Sequence, residues 1–114
     1  MIFNDYQKKA LITDVNGGKP QPIDSHAFIS KLLGLVGESG EVAEKFKKIF
    51  RDKNGQLSEE DKKEICKELG DVLWYISIIA TYLNVPLETI AQNNLEKVLG
   101  RKSRGVSHGK GDNR

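Results

Sequence analysis

The sequence predicts an all-α protein built from four helices. Over most of the chain, apolar residues recur at spacings of three and four, which is the period of a helix that buries one face. No segment alternates apolar and polar residues for long, so we expect no strands. The length of 114 residues fits one domain with a small core rather than two domains.

The first predicted helix covers about residues 4–15, and its apolar spacing is marked by Phe3, Tyr6, Ala10 and Leu11. Residues 16–22 contain two glycines and two prolines, a density at which a helix cannot continue. The second helix begins after Asp24 or Ser25, either of which can cap it, and runs to about Phe50. Its inward side chains are expected to be Phe28, Ile29, Leu32, Leu33, Val36, Ala43, Phe46 and Ile49.

A turn is expected at residues 52–55, before Ser58 opens a capping box whose third following residue, Asp61, is acidic. The third helix then carries inward residues Ile65, Leu69, Val72, Leu73, Ile76, Ile79, Ala80 and Leu83. Residues 84–86 end it, because they include a proline. The fourth helix is expected from about Leu87 to Arg101, with Leu87, Ile90, Ala91, Leu95, Val98 and Leu99 facing inward.

The formal net charge of +2 is unevenly distributed, which divides the chain into a helical domain of residues 1–101 and a basic, glycine-containing tail of residues 102–114. From Arg101 onward, five cations and one carboxylate give +4, so the first 100 residues carry −2. An acidic body lacks the basic stripe of a duplex-binding domain, and we expect no nucleic-acid partner. The tail is expected either to fold over bound phosphates or to be a mobile end. Its candidate phosphate contacts are Lys102, Arg104, Lys110 and Arg114.

Several classes of protein are excluded by composition. No apolar stretch approaches the roughly 18 residues that a membrane span needs, so no membrane partner is expected. The first five residues lack the basic-then-apolar layout of a signal peptide, and we expect a cytoplasmic protein. The single cysteine, Cys66, cannot form an internal disulfide and excludes a cysteine-rich zinc site.

Four carboxylates form the strongest chemical signal in the sequence. Glu38 and Glu41 lie three residues apart on the second helix and therefore share a face. The same spacing places Glu68 and Asp71 on one face of the third helix. Glu38 and Asp71 are equidistant from the Asn54-Gly55 pair, and so are Glu41 and Glu68. An antiparallel hairpin folded at that turn would therefore bring all four carboxylates into one layer.

The neighbouring glycines, Gly37, Gly40 and Gly70, indicate that backbones or a ligand need room at this level, because glycine costs about 1 kcal/mol in a helix. Converging carboxylates repel one another unless a cation lies among them, and hard oxygen ligands suit Mg²⁺, with Mn²⁺ as a substitute. The alternative is two solvated helix faces, which are common in a chain that is 30% charged. The symmetric register favours the metal site. A ferritin-like di-iron centre is not expected, because neither histidine follows a glutamate by three residues.

At these residues the sequence resembles the MazG-like all-α nucleotide pyrophosphohydrolases. The family pattern is an E-x-x-E pair, a spacer and an E-x-x-D pair, which here read GLVGESGEV at 34–42 and KELGDVLWY at 67–75. Tyr6-Gln7 is similar to the family's amino-terminal Tyr-Gln, and NLEKVLGR at 94–101 to its Asn-x-x-Lys-x-x-x-Arg segment. The final GDNR is similar to the end of a single-domain branch.

The resemblance implies Mg²⁺-dependent hydrolysis of nucleoside triphosphates to the monophosphate and pyrophosphate, as nucleotide-pool house-cleaning. It implies that Glu38, Glu41, Glu68 and Asp71 are the metal ligands. It also implies a homodimer or homotetramer with sites near subunit contacts, and the length of the second helix independently favours self-association. We place the role of proton acceptor on Glu38 or Glu41 without choosing between them.

The phosphate chain needs cations, and Asn94, Lys97 and Arg101 share one face of the fourth helix. With the resemblance, we expect these residues to contact substrate. The alternative is a solvated face whose cations suit the C-terminal end of the helix dipole. Trp74 is a weaker candidate for the wall of a base pocket, because an aromatic residue on an apolar helix is more often part of a core or a subunit interface.

Two rival functions stay open at this point. Phosphoribosyl-ATP pyrophosphohydrolase shares the same helical core and differs in substrate. A non-catalytic helical protein that senses nucleotides or binds a partner would use the carboxylates only as a surface. The base and sugar preference cannot be read from the sequence.

Overall fold

The computed structural model describes residues 1–106, 108–109 and 111–112, and within them the predicted all-α class is confirmed. The helices are α1 (Phe3–Ala10), α2 (His26–Lys53), α3 (Glu59–Tyr82) and α4 (Leu87–Ser103), and no strand occurs in the described part of the chain. No helix among these residues is long and apolar enough to cross a membrane.

An antiparallel hairpin of α2 and α3 forms the body of the fold, and these two helices make the most extensive interhelical contact. Ser25 caps α2 by accepting a hydrogen bond from the backbone N–H of Phe28. The capping box at the start of α3 is confirmed, because Ser58 and Asp61 each accept from the other's backbone N–H. The hairpin turns at Asn54, in the left-handed conformation with φ of 53°, and at Gly55, with φ of 80°. The predicted turn is therefore confirmed.

The first helix is shorter than predicted. The α-helical part ends at Ala10, and residues 11–13 form a 3-10 turn. Asp14 has extended backbone, and its carboxylate accepts hydrogen bonds from the backbone N–H of Gly18 and the hydroxyl of Tyr82. These contacts compete with helix continuation, so the segment turns back onto the hairpin before Val15.

The core is small and lies where α1 packs against the carboxyl-terminal half of α3. Its buried centre consists of Ala10, Ile78 and Tyr82. Tyr6, Leu11, Ala27, Phe28 and Trp74 pack around that centre. The side chain of Gln7 links three elements here: its amide donates to Thr81 and to the carbonyl of Val85, and its oxygen accepts from the first backbone N–H of α4. Gln7 thus does for α4 what a capping side chain does, since Pro86 cannot.

The prediction that apolar faces point inward is wrong within a single chain for most of the predicted positions on α2 and α4, whereas on α3 six of the eight predicted positions are buried or half-buried. The apolar residues that are predicted inward but exposed are Ile29, Leu32, Leu33, Val36, Ala43 and Phe46 on α2, Leu69 on α3, Leu83 at its end, and Ile90, Leu95, Val98 and Leu99 on α4. The physical reason is geometric. A 28-residue helix is about 42 Å long, close to the 44 Å longest dimension of the molecule, and the remaining helices cover only part of it.

Candidate functional site

Three of the four predicted carboxylates meet in the hairpin. Glu38 on α2 and Glu68 and Asp71 on α3 each place one oxygen within 4.8 Å of the others. They come together because the Asn54 turn sets the register between α2 and α3, which pairs residue 38 with residue 71. Glu41, the fourth predicted ligand, is exposed and lies outside this group of three.

The neighbouring carboxylates perturb Glu38. Partial burial raises the pKa of Glu38, and the negative charges of Asp71 and Glu68, a hydrogen bond to Glu68, and the charge of Glu41 raise it further. The pKa of Tyr6 is also raised, first by burial and then by the charge of Asp71, which places this phenol beside the site. Such a group holds excess negative charge that a cation would relieve.

The side chain of Lys45 would compete in part with a bound metal ion for the carboxylates. Lys45 on α2 has its ammonium nitrogen 3.9 Å from a carboxylate oxygen of Glu68 and 4.0 Å from one of Glu64. These are long contacts on partly exposed groups, so they compensate little of the charge. The sequence pattern did not single out Lys45, although its position one turn after Glu41 was a signal that could have found it.

The space around the carboxylates fits a bound ion or substrate. A Cβ atom built on Gly37, Gly40 or Gly70 would meet no other atom within 4 Å, apart from its immediate surroundings in the helix. The first of the two explanations for these glycines, close approach of backbones, is therefore wrong. The glycine that is packed tightly is Gly34, where a Cβ would lie 2.2 Å from Cε1 of Tyr75. Hard oxygen donors beside open space are what Mg²⁺ or Mn²⁺ requires.

The predicted phosphate-binding residues of α4 form a separate group. The guanidinium Nη2 of Arg101 donates to the carbonyl oxygens of Gly111 and Asp112, at 3.3 and 2.5 Å, and to the carboxylate of Asp112 at 3.2 Å. The ammonium of Lys97 lies 3.5 Å from the same carboxylate, whereas Asn94 is exposed. Among the described residues, no hydrogen bond or ion pair joins this group to the four carboxylates. Two of the predicted tail contacts, Lys110 and Arg114, lie outside the described residues.

Trp74 is half-buried and takes part in packing. Its indole N–H donates to the hydroxyl of Thr13 at 2.8 Å, and its ring meets Tyr75 edge-on at a centroid distance of 5.0 Å. The ammonium of Lys31 lies 5.5 Å from the centre of the Trp74 ring. These contacts match the packing alternative, and a role in a base pocket stays a prediction.

A buried ion pair beside this tryptophan was missed at the level of sequence. The ammonium of Lys31, on α2, lies 3.2 Å from the carboxylate of Asp14, and the two side chains are 9% and 0% exposed. Burial acts to raise the pKa of Asp14, but hydrogen bonds from Tyr82, Lys31 and nearby backbone N–H groups hold it below its ordinary value. Only long-range folding brings residue 14 to residue 31, so no local spacing could have revealed the pair.

Comparisons with known proteins identify a family domain that spans the carboxylates. A sequence model described as the MazG nucleotide pyrophosphohydrolase domain matches residues 27–106, which include all four carboxylates. The chain is 52% identical over 116 residues to the Gene 37 protein of Mycobacterium phage L5, across the whole of both chains. It is 33% identical over 72 residues to calcium-binding protein CML19 of Arabidopsis thaliana, across 60% of this chain and 43% of that protein. No solved structure matches it.

Proposed function

The chain belongs to the MazG nucleotide pyrophosphohydrolase family, and from this premise we propose that it hydrolyses nucleoside or deoxynucleoside triphosphates to the monophosphate and pyrophosphate. The proposed role is removal of unwanted nucleotides from the pool. One observation carries the proposal: Glu38, Glu68 and Asp71 converge from two helices beside open space. A solvated helix face gives no reason for three carboxylates to share a volume at the cost of mutual repulsion.

The proposed metal ligands are these three residues together with Glu41. When bound, Mg²⁺ or Mn²⁺ supplies neutralisation of the phosphate oxygens. Glu41 is exposed and lies one turn along α2 from Glu38, and its proposed place is the edge of this group. The raised pKa of Glu38, which comes from partial burial and from the charges of Asp71 and Glu68, supports a compensating cation in this layer.

The proposed proton acceptor is Glu38 or Glu41. A carboxylate oxygen within hydrogen-bond reach of the attacking water takes its proton as the water approaches phosphorus. Glu38 stands within the group of three, whereas Glu41 stands outside it, so the two variants Glu38→Gln and Glu41→Gln separate the roles. A variant that retains Mg²⁺ binding in calorimetry but loses turnover identifies the proton acceptor. A variant that loses both identifies a metal ligand.

The proposed substrate contacts are Asn94, Lys97 and Arg101, with Trp74 as a wall of the base pocket. Lys97 and Arg101 already bind carboxylate and carbonyl oxygens in this structure, which supports their capacity to bind phosphate oxygens. In a single chain they form a group apart from the carboxylates. This separation supports the proposal that the working unit is a homodimer or homotetramer.

Self-association is further supported by the exposed apolar side chains of α2 and α4. Leu33 and Val36 are 66% and 63% exposed, and Leu95 and Leu99 are 51% and 56% exposed. Exposed large apolar side chains in this number on two helices support an interaction surface on each of them. Sedimentation of the purified chain tests the proposal, because a monomer at micromolar concentration would contradict it.

The function is tested by a pyrophosphate-release assay over ribo-, deoxy- and modified nucleoside triphosphates with Mg²⁺, and with phosphoribosyl-ATP as a separate arm. We expect release of pyrophosphate and not orthophosphate, and loss of turnover in Asp71→Asn with helicity retained. Asp52→Asn is the matched control, since it removes an exposed carboxylate at the far end of the hairpin. Turnover of phosphoribosyl-ATP alone would assign the rival hydrolase. Nucleotide binding without turnover of any substrate would assign a sensing protein.

A further inference from the structure

The end of the chain folds back onto α4 and contacts the two cations proposed to bind phosphate. Asp112 supplies a carboxylate oxygen to both Lys97 and Arg101, at 3.5 and 3.2 Å. Gly111 and Asp112 supply two carbonyl oxygens to the same nitrogen of Arg101. Three oxygen atoms of the chain's own terminus thus surround one guanidinium.

The side chain of Arg101 forms a built anion site and not a surface contact. It is only 8% exposed, although arginine is rarely buried without partners. Its Nε atom is buried and has no hydrogen-bond partner among the described residues. A planar guanidinium offers five N–H donors in a fork that matches phosphate, and the described residues use only one of its nitrogens.

The occupant, in contrast, is loosely held. The carboxylate of Asp112 is 80% exposed, and its positive partners exceed it in charge, with two cations facing one anion. A carboxylate on a short exposed segment is a weaker ligand for this pair of cations than a polyphosphate, which carries several negative charges.

We propose that Asp112 is an internal competitor that occupies the Lys97–Arg101 anion site until a polyphosphate displaces it. The inference rests on the proposed function for the identity of the anion, and it adds that the terminus regulates access to this site. The consequence is a lowered apparent affinity for polyphosphate, because polyphosphate binds only the form in which Asp112 has left the site. The apparent affinity therefore falls in proportion to the fraction of molecules in that open form. An ion pair whose carboxylate is as exposed as that of Asp112 closes the site by a factor of about two to five.

The test is calorimetric titration of the full-length chain with inorganic tripolyphosphate in the presence of EDTA, so that neither turnover nor the carboxylate group contributes. We expect Asp112→Asn to bind about two to five times more tightly than the wild type. Asp52→Asn, the matched control, changes the net charge equally and removes a carboxylate that pairs with Arg51. It is expected to leave the affinity unchanged. Lys97→Gln is expected to weaken binding, which places the probe at this site.

Three results would overturn the proposal. Equal or weaker binding by Asp112→Asn would show that Asp112 does not compete, and weaker binding would assign it to positioning Arg101 instead. Unchanged binding by Lys97→Gln would place the anion elsewhere. An equal gain in tripolyphosphate affinity in Asp112→Asn and Asp52→Asn would show that the effect comes from net charge alone. Failure of the nucleotide panel would leave this titration unaffected, so the two proposals fall separately.

Discussion

Gly34 sets the spacing between the two helices that carry the carboxylates, and Gly34→Ala is expected to destabilise the protein. A Cβ at this position would lie 2.2 Å from Cε1 and 2.4 Å from Cζ of Tyr75, about 1.2 Å short of an ordinary contact at 3.4 Å. The ring has little freedom to move aside, because Trp74 packs against it at 5.0 Å. Separation of the two helices would relieve this clash, and it would displace the carboxylates of Glu38, one turn after Gly34 on α2, and Asp71, one turn before Tyr75 on α3.

The expected size of the effect follows from two opposing contributions. Overpacking of this severity costs about 3 kcal/mol, and replacing a helical glycine by alanine returns about 1 kcal/mol. The net loss is about 2 kcal/mol, equivalent to a fall of roughly 8 °C in Tm for a domain of this length. Gly37→Ala is the matched control, because its Cβ meets nothing within 4 Å. It is expected to raise Tm by roughly 4 °C from helix propensity alone.

The assay is thermal unfolding followed by circular dichroism at one protein concentration, in EDTA. Pyrophosphate release at a temperature well below both Tm values then reports the geometry of the carboxylates. A Gly34→Ala variant as stable as the wild type would refute the argument, and so would shifts of the same sign in both variants. Tyr75→Leu combined with Gly34→Ala provides a further check, since removing the ring should restore much of the lost stability.

Three other perturbations test the electrostatics of the fold. Hydrogen bonds from Lys53 and from the capping box lower the pKa of Asp61 to about 2. The contribution of Asp61 to folding stability is therefore complete above its ordinary pKa of 3.8 and is lost as pH falls through 2. The wild type should have a higher urea midpoint than Asp61→Asn at pH 5, and a difference that persists unchanged at pH 2 would contradict this. Lys31→Met leaves the carboxylate of Asp14 buried without its cation and should cost about 3 kcal/mol in urea unfolding, whereas a loss below 1 kcal/mol would show that the pair is dispensable. Mg²⁺ at 100 times its Kd should stabilise the wild type by about 2.7 kcal/mol, EDTA should reverse this, and an equal shift in Glu68→Gln would remove Glu68 from the metal site.

The hairpin and its carboxylates could be predicted because their determinants are local. The Asn54-Gly55 turn and the Ser58 capping box each act within a few residues. Once the turn is placed, the rise of 1.5 Å per residue sets which positions face each other across the pair of helices. The meeting of Glu38 with Asp71 follows from that register alone. Glu41 lies one helical turn nearer to the Asn54-Gly55 turn than Glu38 does. Its exposure depends on the orientation of its side chain, which spacing does not determine.

The contacts that escaped prediction join a residue to a segment outside its own helix, at separations of 11 and 68 residues. Asp14 ends the first helix early because Tyr82, 68 residues later, donates a hydrogen bond to it. Arg101 was expected to face substrate, and in the structure the chain's own terminus covers it. In both cases the polar group can pair with any of several partners outside its own helix. The apolar period carries no information about which partner it binds.

At the exposed apolar positions, the spacing correctly indicates an apolar helix face but does not say which surface buries it. A three-and-four period at Leu95, Val98 and Leu99 means that one face of α4 avoids water, but it does not name the surface that covers it. Within the described part of one chain these side chains are 43–56% exposed, and no hydrogen bond or ion pair joins the cations of the same helix to the carboxylates of the hairpin. Packing of α4 on a second copy of the chain would explain both facts. Then the apolar face is buried and Lys97 and Arg101 approach a neighbouring carboxylate layer. A helix that reads as core-facing in sequence and solvent-exposed in a single chain is therefore a specific reason to place the complete site in an assembly.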